Sequence, residues 1–320
     1  MIAWTLLHAL SKDKLSVFLF HKVPVRLDPL VPSDIDLASF EGLLDQIVSQ
    51  FHVLPLEDAI QRLPAGKLPR RAACITFDDG YVDWGNGAVP ALLRRNLHAT
   101  FFITTGQFAG KPLWHERIQA AIRQMPGDAL NLGLPSLPTQ AIASLEDRQR
   151  LIVKLENELK YLTLKRREEV LQQLEALAGV QPRAIPVMTP AGLRDLHSQG
   201  FGIGAHTAMH PILDYCSAEE VEQEIGGVRE TLRAMAVGEV NGFAYPNGRP
   251  YADYSRLHVE AVQRAGYRYA VTTHWGVANP QTSAFQVPRF TPWAKREWHA
   301  LYQMGRNLMT HPLQVPEVAN

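Results

Sequence analysis

One stretch of the chain reads Ala73-Cys74-Ile75-Thr76-Phe77-Asp78-Asp79-Gly80, an apolar, β-prone run that ends in two carboxylates and a glycine. A second run, Phe201 to Ala205, leads in the same way into His206-Thr207-Ala208-Met209-His210. Each polar cluster is therefore predicted to lie where a strand ends and a loop begins. Neighbouring side chains of a strand point to opposite faces, so the backbone must turn near Gly80 if both carboxylates are to enter one site.

The residue types in the two clusters are those of a hydrolytic metal centre. One aspartate and two histidines make a three-ligand set that leaves a coordination position open for water, and the other aspartate is then free to act as a base. Either cluster alone has a commoner interpretation, since an Asp-Asp-Gly is usually a solvated turn and a His-x-x-x-His is usually a surface pair. Their joint occurrence after two predicted strands favours the metal centre.

Together the two motifs resemble those of the polysaccharide deacetylase family with the NodB homology domain, also called the fourth carbohydrate esterase family. The resemblance covers Leu15 to about Gly106 and about Thr189 to Arg289. Matched residue by residue, it implies a catalytic base at Asp78 and metal ligands at three positions, Asp79, His206 and His210.

A general acid is also needed, because the leaving group must receive a proton. The family supplies a histidine from a late Leu-x-His motif, which does not occur after the histidine pair here. Leu19-Phe20-His21 matches that motif at the first predicted strand, which resembles the circularly permuted branch that includes poly-N-acetylglucosamine deacetylases. The resemblance implies that His21 is the acid, as an imidazolium. A packed histidine at a strand end is the alternative, and His274 and His299 are competing candidates for the acid.

The chain departs from the family pattern beside the base. Ala244 stands where an arginine normally precedes Pro246, and Arg289 is the candidate to supply that charge, although a structural ion pair is an equally good interpretation. The remaining candidates are predicted to bind substrate or support the site, and they are Tyr245, Pro246, Asn247, Trp114 and Trp275.

Strand-like runs alternate with helical patterns along the chain, which is typical of βαβ units and a mostly parallel sheet. These runs are 16–20, 73–77, 99–103, 201–205, 242–245 and 269–272. Polar residues of interest follow the runs, and the carboxyl ends of parallel strands share one face of a barrel. We expect an α/β fold, a distorted (β/α) barrel of about seven parallel strands, with the site on that face.

The whole chain, 1–320, is predicted to form one NodB-like barrel domain with a helical insertion at 114–186. Within the insertion, leucines at helical spacing from Leu151 to Leu177 indicate amphipathic helices. The basic run Lys165-Arg166-Arg167 is predicted to lie on a solvated face, because two glutamates follow it directly.

Composition argues against several classes of partner. Thirty-two basic residues balance 32 acidic ones, so no net charge attracts nucleic acid or an anionic membrane. Met1 to Leu10 is too short and lacks the basic flank of a signal peptide, and no window approaches the ~18 apolar residues of a membrane helix. A cytoplasmic location is expected, with peripheral contact of Met1 to Leu10 at the inner membrane left open.

The sequence therefore predicts a metal-dependent hydrolase that removes acetyl groups from an N-acetylated, or alternatively O-acetylated, carbohydrate of a polysaccharide or glycolipid. One divalent ion is expected, zinc first, with cobalt, nickel or manganese as alternatives. Two other functions compete with this one, a metal-independent cyclic-amide hydrolase of the same fold and a carbohydrate-binding pseudoenzyme. The identity of the glycan and the oligomeric state do not follow from the sequence.

Overall fold

The computed structural model describes residues 8–110, 112–180, 187–292 and 297–317. The strands in these ranges are Leu15–Phe20 (β1), His52–Val53 (β2), Ala72–Asp79 (β3), Thr100–Ile103 (β4), Ala129–Leu130 (β5), Gln140–Ala141 (β6), Gly202–Ala205 (β7), Gly242–Ala244 (β8) and Tyr269–Val271 (β9). Each of the six runs predicted to be strands coincides with one of these, to within two residues at either end.

The main sheet is parallel and curls into a barrel. Its strands follow the order β1-β3-β4-β7-β8-β9, and β2 lies beside the start of β3. The extended segment 287–290 continues the ring, because Val287 pairs with Val271 of β9 and Phe290 pairs with Phe18 of β1. The predicted distorted (β/α) barrel is confirmed, with its strands' carboxyl ends on one face.

Helices pack around this sheet, and their ends follow the capping signals of the sequence. Asp36, Thr189 and Ser217 each accept a backbone N–H in the first turn of the helix that follows. The helices include Leu37–Gln50 (α1), Leu56–Arg62 (α2), Asp83–Asn86 (α3), Ala88–Arg94 (α4), Trp114–Gln124 (α5), Leu145–Leu159 (α6), Leu164–Ala178 (α7), Pro190–Ser198 (α8), Ala218–Glu222 (α9), Val228–Ala234 (α10), Arg256–Arg264 (α11) and Glu297–Asn307 (α12). Short 3₁₀ helices lie at Leu63–Ala65, Gly106–Ala109 and Leu213–Tyr215, and a π-helical turn lies at Gln223–Gly227.

Helices α5, α6 and α7 form a hydrophobic cluster of their own, separate from the core of the barrel. Most of the leucines in the predicted series are buried in it, among them Leu151, Leu155 and Leu171, whereas Leu177 is 46% exposed. We call residues 114–178 the helical region. Its status as an insertion within a single domain stays a prediction, and residues 181–186 of the predicted insertion lie outside the described residues.

None of the helices in the described parts of the chain is both long and apolar enough to cross a bilayer. The suggested membrane contact of Met1 to Leu10 falls largely on residues 1–7, which are outside the described residues.

Candidate active site

The carboxyl ends of the parallel strands open into a cavity of about 470 Å³. Most of the residues predicted for the site line this cavity, although they come from distant parts of the chain. They are His21, Asp78, Asp79, Trp114, His206, His210, Asn247, Trp275 and Arg289. Tyr245 and Pro246 are described but do not line it.

Asp78 and Asp79 both reach the cavity because the backbone turns sharply at the end of β3. Asp79 has a φ of 87° and Gly80 a φ of 94°, both in the left-handed region. For a residue other than glycine this conformation costs roughly 1–3 kcal/mol. Two hydrogen bonds to the Asp79 carbonyl hold the turn, from Thr104 Oγ1 at 2.7 Å and Gln107 Nε2 at 2.6 Å. The turn required by two adjacent carboxylates is therefore present.

Asp79, His206 and His210 offer three donor atoms within 4.8 Å of one another, and all three residues are buried. The Nε2 atoms of His206 and His210 lie 3.6 Å and 3.8 Å from Asp79 Oδ1. This buried oxygen has no hydrogen-bond partner among the described residues. Such oxygens rarely lack a partner, and an ion with bonds of about 2.0–2.2 Å to all three residues would supply one. The donor set fits a divalent metal.

The charges around these donors also suit a cation. Burial and the neighbouring charges of Asp78 and Glu116 raise the pKa of Asp79 to about 8. Burial lowers the pKa values of His206 and His210, so both imidazoles are neutral at neutral pH and keep a lone pair. A bound cation would offset the repulsion that raises the pKa of Asp79.

The ring of His206 is oriented from the next strand. Its Nδ1 lies 2.8 Å from the carbonyl oxygen of Ala244, at the end of β8, and donates to it. This leaves Nε2 as the unprotonated nitrogen, on the side of Asp79. A metal-bound histidine usually donates its second ring N–H in this way, which fixes both the tautomer and the ring plane.

The loop between the two histidines is tightly turned. Thr207 and His210 have left-handed backbones, with φ of 61° and 50°. Thr207 Oγ1 accepts from the backbone N–H of His210 at 3.1 Å. Glu224, from the π-helical turn, accepts from the N–H groups of Ala208 and Met209 at 2.7 Å and 2.9 Å. Buried hydrogen bonds therefore position both histidines.

Arg289 pairs with Asp78 through two hydrogen bonds, each 2.7 Å long. The guanidinium is fully buried and also donates to the carbonyl of Thr272 at 3.0 Å. Burial alone raises the pKa of Asp78, but the charge of Arg289, together with His206, holds it below the usual value. Asp78 is therefore ionised at neutral pH. Arg289 lies in the segment that closes the barrel and supplies the positive charge that the sequence lacks before Pro246.

His21 lies directly after β1, and its side chain lines the cavity. Its carbonyl accepts a hydrogen bond from Trp84 Nε1 at 2.8 Å. Burial lowers the pKa of His21 to about 4, with the charge of Asp78 opposing this shift and that of Arg289 adding to it. The imidazole is therefore neutral at neutral pH, whereas the acid predicted from the sequence is an imidazolium. Of the described residues, neither His274 nor His299 lines the cavity.

Three of the remaining candidates also line the cavity. Trp114 is buried, and its Nε1 donates to the carbonyl of His210 at 3.1 Å. Trp275 is half-buried and lines the cavity, as does Thr273. Asn247 has a left-handed backbone with a φ of 53°, and its buried Nδ2 has no hydrogen-bond partner among the described residues.

Tyr245 and Pro246 lie behind the cavity wall. The ring of Tyr245 is fully buried and stacks on Tyr254 with ring centroids 4.2 Å apart. Its hydroxyl donates to the carbonyl of Phe285 at 3.2 Å. The side chain of Tyr245 is therefore held in the protein interior, outside the lining of the cavity.

A polar cluster beside the donor set is absent from the sequence-based prediction. Tyr81 Oη lies 2.8 Å from His115 Nε2 and donates to Glu116 at 3.1 Å. Lys22 forms an ion pair with Glu116, and all four residues line the cavity. Burial lowers the pKa of His115 to about 4. No motif marks His115 and Glu116, which enter the cavity only because α5 packs over it.

The prediction that Lys165-Arg166-Arg167 lies on a solvated face is wrong for Arg167. Its side chain is 3% exposed. It donates to the carbonyls of Met209 at 2.8 Å and His210 at 3.1 Å, so it contacts the loop that carries the histidine pair. Arg166 is exposed and pairs with Glu169, as expected. Arg167 is buried because it lies on the inward face of α7.

A sequence model of one protein family matches this chain over residues 65–270, and the family is described as polysaccharide deacetylase. The match contains both acidic residues at the end of β3 and both histidines of the loop after β7. A comparison with curated proteins gives no match.

Solved structures of bacterial deacetylases have a similar fold. The Streptococcus pyogenes deacetylase PplD in complex with acetate is 18% identical, with 91% of this chain and 97% of that chain covered and a TM-score of 0.59. IcaB from Ammonifex degensii is 15% identical, with 93% and 98% covered and a TM-score of 0.58. A de-N-acetylase from Aggregatibacter actinomycetemcomitans is 13% identical, with 91% and 99% covered and a TM-score of 0.57. At these identities the likeness concerns the fold.

Proposed function

We propose that this chain, which belongs to the polysaccharide deacetylase family and is a carbohydrate-deacetylating hydrolase, depends on a divalent metal and acts on an N-acetylated glycan or glycolipid. The observation that carries the metal dependence is the buried donor set of Asp79, His206 and His210 beside the ionised carboxylate of Asp78. This set argues against the metal-independent cyclic-amide hydrolase. The cytoplasmic location stays a prediction.

Zinc is the first choice of metal, because one carboxylate and two imidazoles are ligands that it favours, with cobalt, nickel and manganese as alternatives. The ligands would be Asp79, His206 and His210. A divalent ion held there would polarise the acetyl carbonyl and lower the pKa of a coordinated water toward neutrality.

Asp78 is the proposed general base. Its carboxylate is ionised at neutral pH, and Arg289 occupies only part of its hydrogen-bonding capacity, since a carboxylate has about four lone-pair sites. Oδ2 lies on the side of the donor set, 3.7 Å from His206 Nε2. Asp78 is therefore placed to accept the proton of the attacking water, and Arg289 keeps it from being protonated at rest.

His21 is the proposed general acid, with one change from the prediction made from the sequence. Its imidazole is neutral in the resting, metal-free protein, so it must receive a proton during turnover before it can give one to the leaving amine. Asp78, which lines the same cavity, is the proposed source of that proton. The proton taken from water would then reach the amine by way of His21.

An N-acetyl group is the proposed target rather than an O-acetyl group. Among the proteins with a similar fold, one is described as a de-N-acetylase and another as a deacetylase in complex with acetate. His21 would donate a proton to the leaving group. An amine needs this proton more than the alkoxide of a sugar hydroxyl does, since an amide C–N bond breaks only with the nitrogen protonated.

Acetate release tests the proposed function. We expect the zinc-loaded chain to release acetate from at least one member of a set of N-acetylglucosamine oligosaccharides and N-acetylated glycolipids. Chelation should stop the release and added zinc should restore it. Release that continues unchanged after complete removal of metal would contradict the proposal.

Metal affinity is expected to depend on pH through Asp79. Because its pKa is raised to about 8 in the metal-free protein, a binding ion must displace a proton from it at neutral pH. Zinc affinity should therefore fall about tenfold for each pH unit below about 8. Calorimetry in buffers of different ionisation enthalpy should show release of about one proton per zinc near neutral pH. A zinc affinity that stays constant between about pH 6 and about pH 8 would exclude Asp79 as a ligand that loses a proton when zinc binds.

His21→Ala is expected to lower kcat by roughly 10²–10⁴-fold with zinc content unchanged, because the variant loses a proton donor and no ligand. Since the resting imidazole is neutral, no alkaline limb set by His21 is expected in the parent pH–rate profile. Steady-state rates across pH, with zinc analysis of both proteins, check this. Near-parent activity of His21→Ala, with loss of activity in His274→Ala or His299→Ala, would place the acid in the C-terminal part of the chain.

A further inference from the structure

The two histidines of the donor set are held in different ways. His206 donates through Nδ1 to the Ala244 carbonyl. The Nδ1 of His210 is buried and has no hydrogen-bond partner among the described residues. Metal-binding histidines almost always fix their ring plane through the second ring nitrogen. The orientation of His210 must therefore come from elsewhere.

The backbone of His210 supplies that orientation. Its φ of 50° is unfavourable for a residue other than glycine, so this turn persists only if its neighbours hold it. Two donors from the helical region converge on the His210 carbonyl, Arg167 Nη1 and Trp114 Nε1, each at 3.1 Å. A third bond runs from Arg167 Nη2 to the Met209 carbonyl at 2.8 Å. We call Arg167 and Trp114 the carbonyl clamp.

Arg167 has few interactions that compete with this contact. Among the described residues no carboxylate lies within ion-pair distance of it, although neighbouring Arg166 has such a partner. Its guanidinium lies over the ring of Trp114, with Cζ 5.0 Å from the ring centroid. The two members of the clamp therefore also contact each other. Burying a charged group is costly unless its hydrogen bonds are made, and here they are made to the loop carbonyls.

We infer that Arg167 and Trp114 are positioning residues that set the orientation of His210 for metal binding, and that the helical region is therefore part of the metal centre. The inference rests on the proposed metal site. The helical region, which contributes none of the three proposed ligands, would thereby act in metal binding. Loss of the clamp should leave His210 present but poorly oriented, which weakens metal binding without removing a ligand.

Zinc affinity of the full chain, measured by competition with a chromophoric chelator, tests the clamp. Arg167→Gln should weaken zinc binding by roughly 10–100-fold, the usual effect of changing a residue behind a ligand. Arg167→Lys keeps the charge and one donor and should recover part of the affinity. Trp114→Phe keeps an aromatic ring but loses the N–H, and should weaken binding by a smaller factor.

Two control variants separate positioning from loss of structure. Arg166→Gln changes the exposed neighbour and should bind zinc like the parent. Arg117→Gln removes another buried arginine of the helical region, whose partners are Glu168 and Glu175 and not the loop. It should lower the unfolding temperature but keep zinc affinity. Circular dichroism establishes which variants are folded.

Parent-like affinity in folded Arg167→Gln would overturn the inference. Equal losses of affinity in Arg167→Gln and Arg117→Gln would also overturn it, because they would reflect general destabilisation. If Arg167→Gln does not fold, parent-like affinity in Trp114→Phe decides against the clamp. Absence of zinc binding in the parent itself would overturn the proposed metal dependence, and the inference with it, whatever the variants do.

Discussion

Asp78→Asn is expected to abolish measurable turnover while zinc content stays at the parent level. The substitution keeps the size of the side chain but removes the proposed proton acceptor, and loss of a general base costs roughly 10²–10⁴-fold in rate. Zinc should remain because Asp78 is paired with Arg289, whereas Asp79 lies with the two histidines. The measurements are steady-state acetate release and metal analysis of the same preparation.

Asp79→Asn is the matched variant for this prediction. It changes the adjacent carboxylate in the same way and should lose zinc together with activity. The opposite pattern, with zinc lost in Asp78→Asn and kept in Asp79→Asn, would mean that the two carboxylates have exchanged roles.

His206→Ala is expected to remove zinc and activity together. The substitution deletes one of the three proposed ligands. We expect zinc affinity to fall by more than about 100-fold, which is the largest usual effect of changing a residue that only supports a ligand. His98→Ala is a suitable control, because His98 is exposed and lies just before β4, at the opposite end of the strands. Zinc titration and acetate release should show parent-like values for that control. Full activity of metal-free His206→Ala would contradict the role given to His206.

The parts of the site carried by local sequence could be predicted. Six strand-like runs that alternate with helical patterns indicated a parallel sheet, and the polar clusters after two of these runs put Asp78, Asp79, His206 and His210 on one face. The reason is physical, since the carboxyl ends of parallel strands meet wherever they lie in the chain.

Arg289 illustrates what local sequence does not determine. Its pairing with Asp78 depends on closure of the barrel by segment 287–290, and the sequence does not determine which strands this segment pairs with. Closure pairs Val287 with Val271 of the preceding strand and Phe290 with Phe18, which lies near the other end of the chain. The sequence therefore left two interpretations of Arg289, a charge beside Asp78 and a structural ion pair.

For Arg167 a usable signal did exist. It lies three and four positions before Val170 and Leu171, which are buried on the inward face of α7. That spacing places Arg167 on the same face of the helix. The charge of the residue argued for solvent, and its position on the helix argued for the interior. Position prevailed because the loop carbonyls accept the hydrogen bonds of the guanidinium.

The proposed metal site is tested most directly by the position of zinc in a crystal of the zinc-loaded chain, located by anomalous diffraction at the zinc edge. We expect one strong peak, about 2.0–2.2 Å from a carboxylate oxygen of Asp79 and from a ring nitrogen of His206 and of His210. Asp78 should remain paired with Arg289. A peak bound by Asp78 instead of Asp79, or zinc located only away from these three residues, would contradict the proposed metal site.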